Sequence, residues 1–102
     1  SGCASQVPEV WGGSIVGMAY RWTANITGGT HSLRALVNGS TVWTPFSSAS
    51  AREDGISQPP FVDTFVAGDD LTVEVVTGGG FLPAGTNDIV VVLYVLLDYD
   101  AT

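Results

Sequence analysis

One histidine, ten carboxylates and a scatter of hydroxyls are the groups in this 102-residue chain that could do chemistry. His31 is followed by Ser32, and a nucleophilic triad would add a carboxylate to such a pair. No nucleophile-elbow pattern surrounds either residue. His31 opens an alternating run and reads as a histidine at a strand edge. Carboxylates are adjacent at Glu53-Asp54 and Asp69-Asp70. Glycoside hydrolysis needs two carboxyls about 5–10 Å apart across a cleft, whereas neighbours in one turn point apart. Asp63, Asp69, Asp70 and Asp88 could converge at one end of a sandwich and offer oxygens to calcium. They lack the spaced ligands of an EF-hand loop and read equally as turn formers and solubilising charges. Gly78-Gly79-Gly80 precedes neither a Gly-Lys-Ser/Thr nor a helix, so it is a flexible turn rather than a phosphate loop. Asn25-Ile26-Thr27 and Asn38-Gly39-Ser40 match the N-glycosylation sequon, but both sit where turns favour asparagine. No residue is assigned as catalytic, cofactor-binding or metal-binding, and the expected protein is not an enzyme.

Charge narrows the partners. Arg21, Arg34 and Arg52 are the only basic residues, and the formal net charge is −7. A nucleic-acid binder needs clustered Lys/Arg to displace counterions, and so does a polybasic membrane-surface module. Neither is expected. Charged residues are 13% and hydrophobic ones 45%, which is not the balance of a disordered acidic tail. A single cysteine, Cys3, excludes an intrachain disulfide framework and a cysteine-based zinc site. The longest apolar stretch, Ile89 to Leu97, has nine residues, too few for a membrane-spanning helix and right for a buried strand. The opening Ser1-Gly2-Cys3-Ala4-Ser5 reads as a processed, trimmed or tag-derived start, or as the continuation of a longer protein.

The elements that must position these residues are strands. Val (14), Gly (13) and Thr (10) are abundant, and apolar residues alternate in short runs between turn residues. Gly13 to Thr23 places Val16, Met18, Tyr20 and Trp22 on one face and Ile15, Gly17, Ala19 and Arg21 on the other. Thr30 to Val37 buries Leu33, Ala35 and Val37, with Ser32 and Arg34 opposite. Asn38-Gly39 then makes a hairpin with Ser40 to Thr44. Residues 47–60 read as a long surface loop, a length usually functional or mobile. Phe61 to Val66 is a strand, and Leu71 to Val76 alternates with Leu71, Val73 and Val75 inward. The last strand, Asp88 to Tyr99, is apolar on both faces, with Ile89, Val91, Leu93, Val95 and Leu97 in one row and Val90, Val92, Tyr94 and Leu96 in the other. A strand in an isolated sandwich normally shows one polar face to water. Either a loop or the N-terminal segment covers the second row, or a subunit does. The expectation is an all-β, antiparallel β-sandwich of jelly-roll type with seven or eight short strands over residues 13–99. Residues 1–12 would be an N-terminal arm and 100–102 a tail.

The C-terminal third runs Phe65-Val66-Ala67-Gly68-Asp69-Asp70-Leu71-Thr72-Val73-Glu74-Val75-Val76-Thr77. A Gly/Phe/Pro loop follows, and then Thr86-Asn87-Asp88-Ile89-Val90-Val91-Val92-Leu93-Tyr94-Val95. This resembles a recurrent small β-sandwich domain of tailed-bacteriophage virion proteins, patterned F-x-A-G-D-x-L-x-V-x-V-x-T, an aromatic-Pro loop, then T-x-D and an apolar strand. The Gly13-to-Gly17 opening, the Thr-Gly-Gly turn and the Val37-Asn38-Gly39 hairpin fall where that family has its first strands, so the resemblance covers most of residues 13–97. Trp43-Thr44-Pro45-Phe46 and the Ser/Ala/Arg/Glu/Asp segment depart from it. The resemblance implies a non-enzymatic module on the virion surface: a tail-fibre tip or minor tail protein engaged in host attachment, or a head decoration protein. It also implies a homotrimer in contact with other virion proteins.

Within that reading, the expected subunit interface is Val90, Val92, Tyr94 and Leu96, or Tyr20 and Trp22. The expected contact with a host-surface glycan or protein is made by Arg52 and Asp54 on the 47–60 loop, Phe81 on the 78–85 loop and Trp43 just before the first of them. The alternative is a carbohydrate-binding module of a secreted protein, by analogy of architecture. A planar row of exposed aromatics would distinguish it.

Overall fold

The computed structural model describes residues 2–6, 11–83 and 87–98, the first of these segments as backbone only. It is an all-β sandwich, as the alternation predicts. The strands are β1 (Gly2–Gln6), β2 (Gly13–Trp22), β3 (His31–Val37), β4 (Ser40–Ala49), β5 (Glu53–Ser57), β6 (Asp63–Phe65), β7 (Asp70–Thr77) and β8 (Ile89–Leu97). One sheet has the order β1-β7-β3-β4. In the other, β2 is central, with β8 along one edge and β5 and then β6 along the other. Every pairing is antiparallel.

The core lies between the sheets. Ile15, Met18, Tyr20, Trp22 and Phe65 come from the β2 sheet and meet Leu33, Ala35, Phe46, Leu71 and Val73 from the other. The β8 row of Ile89, Val91, Leu93 and Leu97 packs against this cluster from its margin. On the outer face of β3 and β7, Ser32, Arg34, Thr72 and Glu74 share the surface with Leu36 and Val76, and Arg34 and Glu74 stand opposite one another and pair at 3.0 Å.

Local chemistry sets the β3–β4 hairpin. Asn38 and Gly39 have φ of 51° and 83°, the left-handed pair that a two-residue turn between twisted strands requires. The same asparagine clamps the β6–β7 turn. Its side chain donates to Asp69 Oδ1 and accepts from the Asp70 amide, both at 3.0 Å. Asp69 also accepts the Val66 amide at 2.8 Å. That amide first, and Asn38 second, hold the Asp69 carboxyl below its ordinary range. The Asp69-Asp70 pair is thus occupied in shaping a turn.

Four expectations are corrected. The 47–60 segment is not one loop: β4 continues to Ala49, and Glu53–Ser57 pairs with β2. Of Phe61 to Val66, only Asp63–Phe65 is strand, because Phe61 turns at φ 68°. Residues 2–6 of the supposed arm form β1 against β7; residues 7–10 and the tail at 100–102 lie outside the described residues. Finally, the faces of β2 switch phase. A bulge between Ile15 and Gly17 sets Ile15 in the core with Met18, Tyr20 and Trp22. One extra residue shifts a period-2 pattern by one, so strict alternation misplaces Ile15. The bulge is secured by Gln58, whose backbone amide donates to Val16 O at 3.0 Å and whose side chain donates to Ile15 O at 2.9 Å and Asp63 at 3.0 Å.

Candidate interaction surface

The two outer faces of the sandwich differ in chemistry. On the β2–β8 sheet, the register sets Val90 beside Arg21, Val92 beside Ala19 and Tyr94 beside Gly17. With Gly17 and Ala19 adding almost no side chain, β8 stands proud. Val90, Val92, Tyr94 and Leu96 are 62%, 44%, 52% and 46% exposed. No described segment covers this row, so the loop-covering alternative finds no support among the described residues. A contiguous apolar strip on a small acidic domain is the kind of patch that marks an interaction site.

Tyr94 reaches across Gly17: a methyl group there would meet its ring at 3.2 Å. Its ring borders an open depression of about 510 Å³ lined also by Val16, Ala19, Gly55, Ile56 and Ser57. At the far end of the strip Ser14, opposite Leu96, is fully buried, and its hydroxyl accepts the Phe61 amide at 3.0 Å. That bond holds the turn bearing exposed Phe61 and Val62 at the end of the apolar face.

The other proposed interface residues lie elsewhere. Tyr20 and Trp22 are each 4% exposed and stand in the core, so they cannot form the subunit interface. Tyr20 donates its hydroxyl to Ala51 O at 2.9 Å, and burial, with Asp54 adding to it, pushes the phenol above its ordinary value.

Of the four expected host contacts, one faces solvent freely. Asp54 is exposed on β5 and accepts the Gly55 amide. Trp43 is half-buried against the core from β4. Phe81 packs on the Trp22 ring at 4.9 Å between centroids, closing one end of the core. Gly29 permits this approach, since a Cβ there would sit 2.5 Å from the Phe81 Cα. Arg52 is half-buried and fastens the end of β2. Its Nε donates to Trp22 O and Nη2 to Thr23 O, both at 2.9 Å, while Nη1 reaches Asn25 at 3.5 Å.

Arg52→Ala is therefore expected to lower stability by about 1.5–3 kcal/mol in urea unfolding, the range for hydrogen bonds to a charged group. Arg52→Lys should not restore it, because one ammonium cannot span the two carbonyls as the guanidinium fork does. Full stability in Arg52→Ala would mean that these bonds contribute nothing net.

The chemical candidates fare differently. His31 is not at an exposed strand edge but 1% exposed, ringed by Tyr20, Trp22 and Phe81 with centroids 4.9, 5.5 and 6.0 Å away. Neither ring nitrogen has a hydrogen-bond partner, nor does Trp22 Nε1. Burial holds the imidazole below its ordinary pKa, which keeps it neutral. The aspartates imagined as a calcium site do not converge. Asp63 pairs at Ile15, near one end of β2, whereas the Asp88 amide donates to the Thr23 hydroxyl beyond the other. Asn87, missed in the sequence, closes that second end by accepting from the Ala24 amide at 2.8 Å and the Thr23 hydroxyl at 3.0 Å. A polar residue just before an apolar strand was the only local sign of it. No family model matches the chain, and no curated protein or solved structure matches it either.

Proposed function

We propose that this chain is a non-enzymatic structural module of the virion-surface type, working by assembly with copies of itself rather than by chemistry. The observation that carries the reading is the uncharged, exposed apolar row Val90, Val92, Tyr94 and Leu96 along β8, whereas the outer face of β3 and β7 is crossed by the Arg34–Glu74 pair. The virion placement rests on the resemblance of residues 13–97 to the tailed-phage sandwich domains. An acidic surface with no lysine suits a protein held at high density beside packaged nucleic acid. The carbohydrate-binding reading draws less support: among the described residues the exposed aromatics are Phe61 and Tyr94, which is not a planar row.

Two measurements test this. Light scattering at tens of micromolar is expected to give more than one chain mass of 10.6 kDa, and the number of copies follows from the same trace. Tyr94→Asp should return the protein to monomers with its β spectrum intact, because a carboxylate there would be desolvated without a partner. A wild-type monomer overturns the assembly reading. Mass spectrometry of density-banded particles from cells that encode the chain is expected to find it. Its absence from such particles overturns the virion placement.

A further inference from the structure

We infer that the second copy docks on the open backbone edge of β8, antiparallel to its own β8 across a two-fold axis near Leu93, so that the two β2–β8 sheets become one. This rests on the assembly reading and specifies its geometry as a two-fold pair, in place of the homotrimer that the resemblance implies.

β8 is an edge strand: among the described residues it pairs with β2 alone. Which of its amides are free follows from the ladder. The Thr23 amide donates to Asp88 O, the Asp98 amide donates to Gly12 O, and Leu96 O lies over Gly13, so even-numbered residues aim their backbone groups at β2. Backbone direction alternates along an antiparallel strand, so Ile89, Val91, Leu93, Val95 and Leu97 aim theirs at the open edge.

Open edges are normally blunted by charge, proline, bulges or short length. The edge strand β4 carries Pro45 and three register shifts. The edge strand β5 has five residues, including Glu53 and Asp54. β8 has nine residues, none charged, no proline and no extra residue at the β2 bulge. It is the undefended edge among those with described side chains.

The partner's identity comes from the strand's self-complementarity. About a two-fold at Leu93, Val91 meets Val95 and Ile89 meets Leu97, all within the set whose backbone groups are free. Val92 meets Tyr94 and Val90 meets Leu96 in the outer row, pairs of the aromatic–β-branched and aliphatic kinds that stabilise sheets. Every pair is apolar in either direction. A chain of net charge −7 repels its own copies over most of its surface, and this strand is where two can meet without opposing charges. Like charges enter only at the ends, where Asp88 faces Asp98 of the other copy, so added salt should tighten the pairing.

Amide exchange followed residue by residue tests this on the unmodified protein. At high concentration the Val91, Leu93 and Val95 amides are expected to exchange as slowly as those of Val92 and Tyr94, and on dilution to become fast while the even set stays slow. Light scattering should give twice the chain mass, rising in proportion with salt. Val95→Pro removes an edge donor but no bond to β2, and Val95 is the most exposed residue of its row. It should be monomeric with its β spectrum retained. If it fails to fold, the exchange pattern of the wild type decides. Oligomers whose odd-numbered amides stay fast would overturn edge pairing and leave the assembly reading standing. Slow exchange of the odd-numbered amides in a species that scatters as a monomer would mean that the chain covers its own edge and would overturn the pairing too. A monomer at all concentrations removes both.

Discussion

Gly13→Ala is expected to detach β8 from the sandwich. A Cβ at this position would sit 2.1 Å from the Leu96 carbonyl oxygen and 2.9 Å from the Phe65 ring. The first neighbour is backbone in the strand that β2 pairs with, so it cannot swing aside. The second is a core side chain that is 4% exposed. Relief requires β2 and β8 to separate at the end where Gly13 pairs with Leu97, and the inner row of β8 loses its packing with it. The expected loss is about 4 kcal/mol or more, in the range reserved for overpacking and broken core networks. Gly79→Ala is the control, since nothing lies within 4 Å of its Cβ position, and it should change stability by less than about 0.5 kcal/mol. Urea midpoints of the two variants give the comparison. Equal midpoints would mean that the Gly13 contact relaxes freely. Because β8 carries both the apolar row and the open edge, Gly13→Ala should also abolish self-association.

The second large effect is a dependence of stability on pH centred on His31. The imidazole is buried with both nitrogens unpartnered, and the groups facing it are the rings of Tyr20, Trp22 and Phe81, none of which carries a negative charge at neutral pH. Its folded pKa therefore lies below the ordinary 6.5, which the unfolded chain retains. Above 6.5 neither state binds the proton and stability is at its full value. As pH falls below 6.5 the unfolded state takes up a proton that the folded state refuses, so stability declines, by up to about 1.4 kcal/mol per pH unit. Asp69, also depressed in the folded state, adds a loss in the same direction at lower pH, where carboxylates titrate. His31→Phe keeps a ring among its aromatic neighbours and removes the two unpartnered nitrogens. The variant is expected to be at least as stable as the wild type at pH 7 and to have a flat profile from pH 7 to pH 5. A profile in His31→Phe as steep as that of the wild type would assign the acid sensitivity to other groups.

The parts of the fold legible in the sequence are those with local causes. Asn38-Gly39 announces a hairpin because few other dipeptides tolerate its two left-handed residues. The alternation of Leu33, Ala35 and Val37, and of Leu71, Val73 and Val75, yields the right inner face because one side of each strand meets water. The two greasy rows of β8 were visible because no polar residue interrupts either one, and the structure leaves the outer one exposed as a candidate surface. The Gly/Phe/Pro loop was legible as a loop, but not as the lid over Trp22 and His31.

Tertiary structure alone decided the rest, because each feature depends on a partner distant in the chain. The bulge at Val16 exists where Gln58 supplies bonds to the freed carbonyls, and nothing within Ile15-Val16-Gly17 signals it. Arg52 and Asp54 looked alike as polar loop residues, yet one faces solvent while the other ties the end of β2 across about thirty positions of sequence. His31 follows a turn and precedes Ser32, which suggests an edge, but Phe81 closes over it from fifty residues away. A 102-residue composition determines that strands form and which of their faces are apolar; which strand is left at an edge, and which polar groups are closed in, is settled only when the two sheets meet.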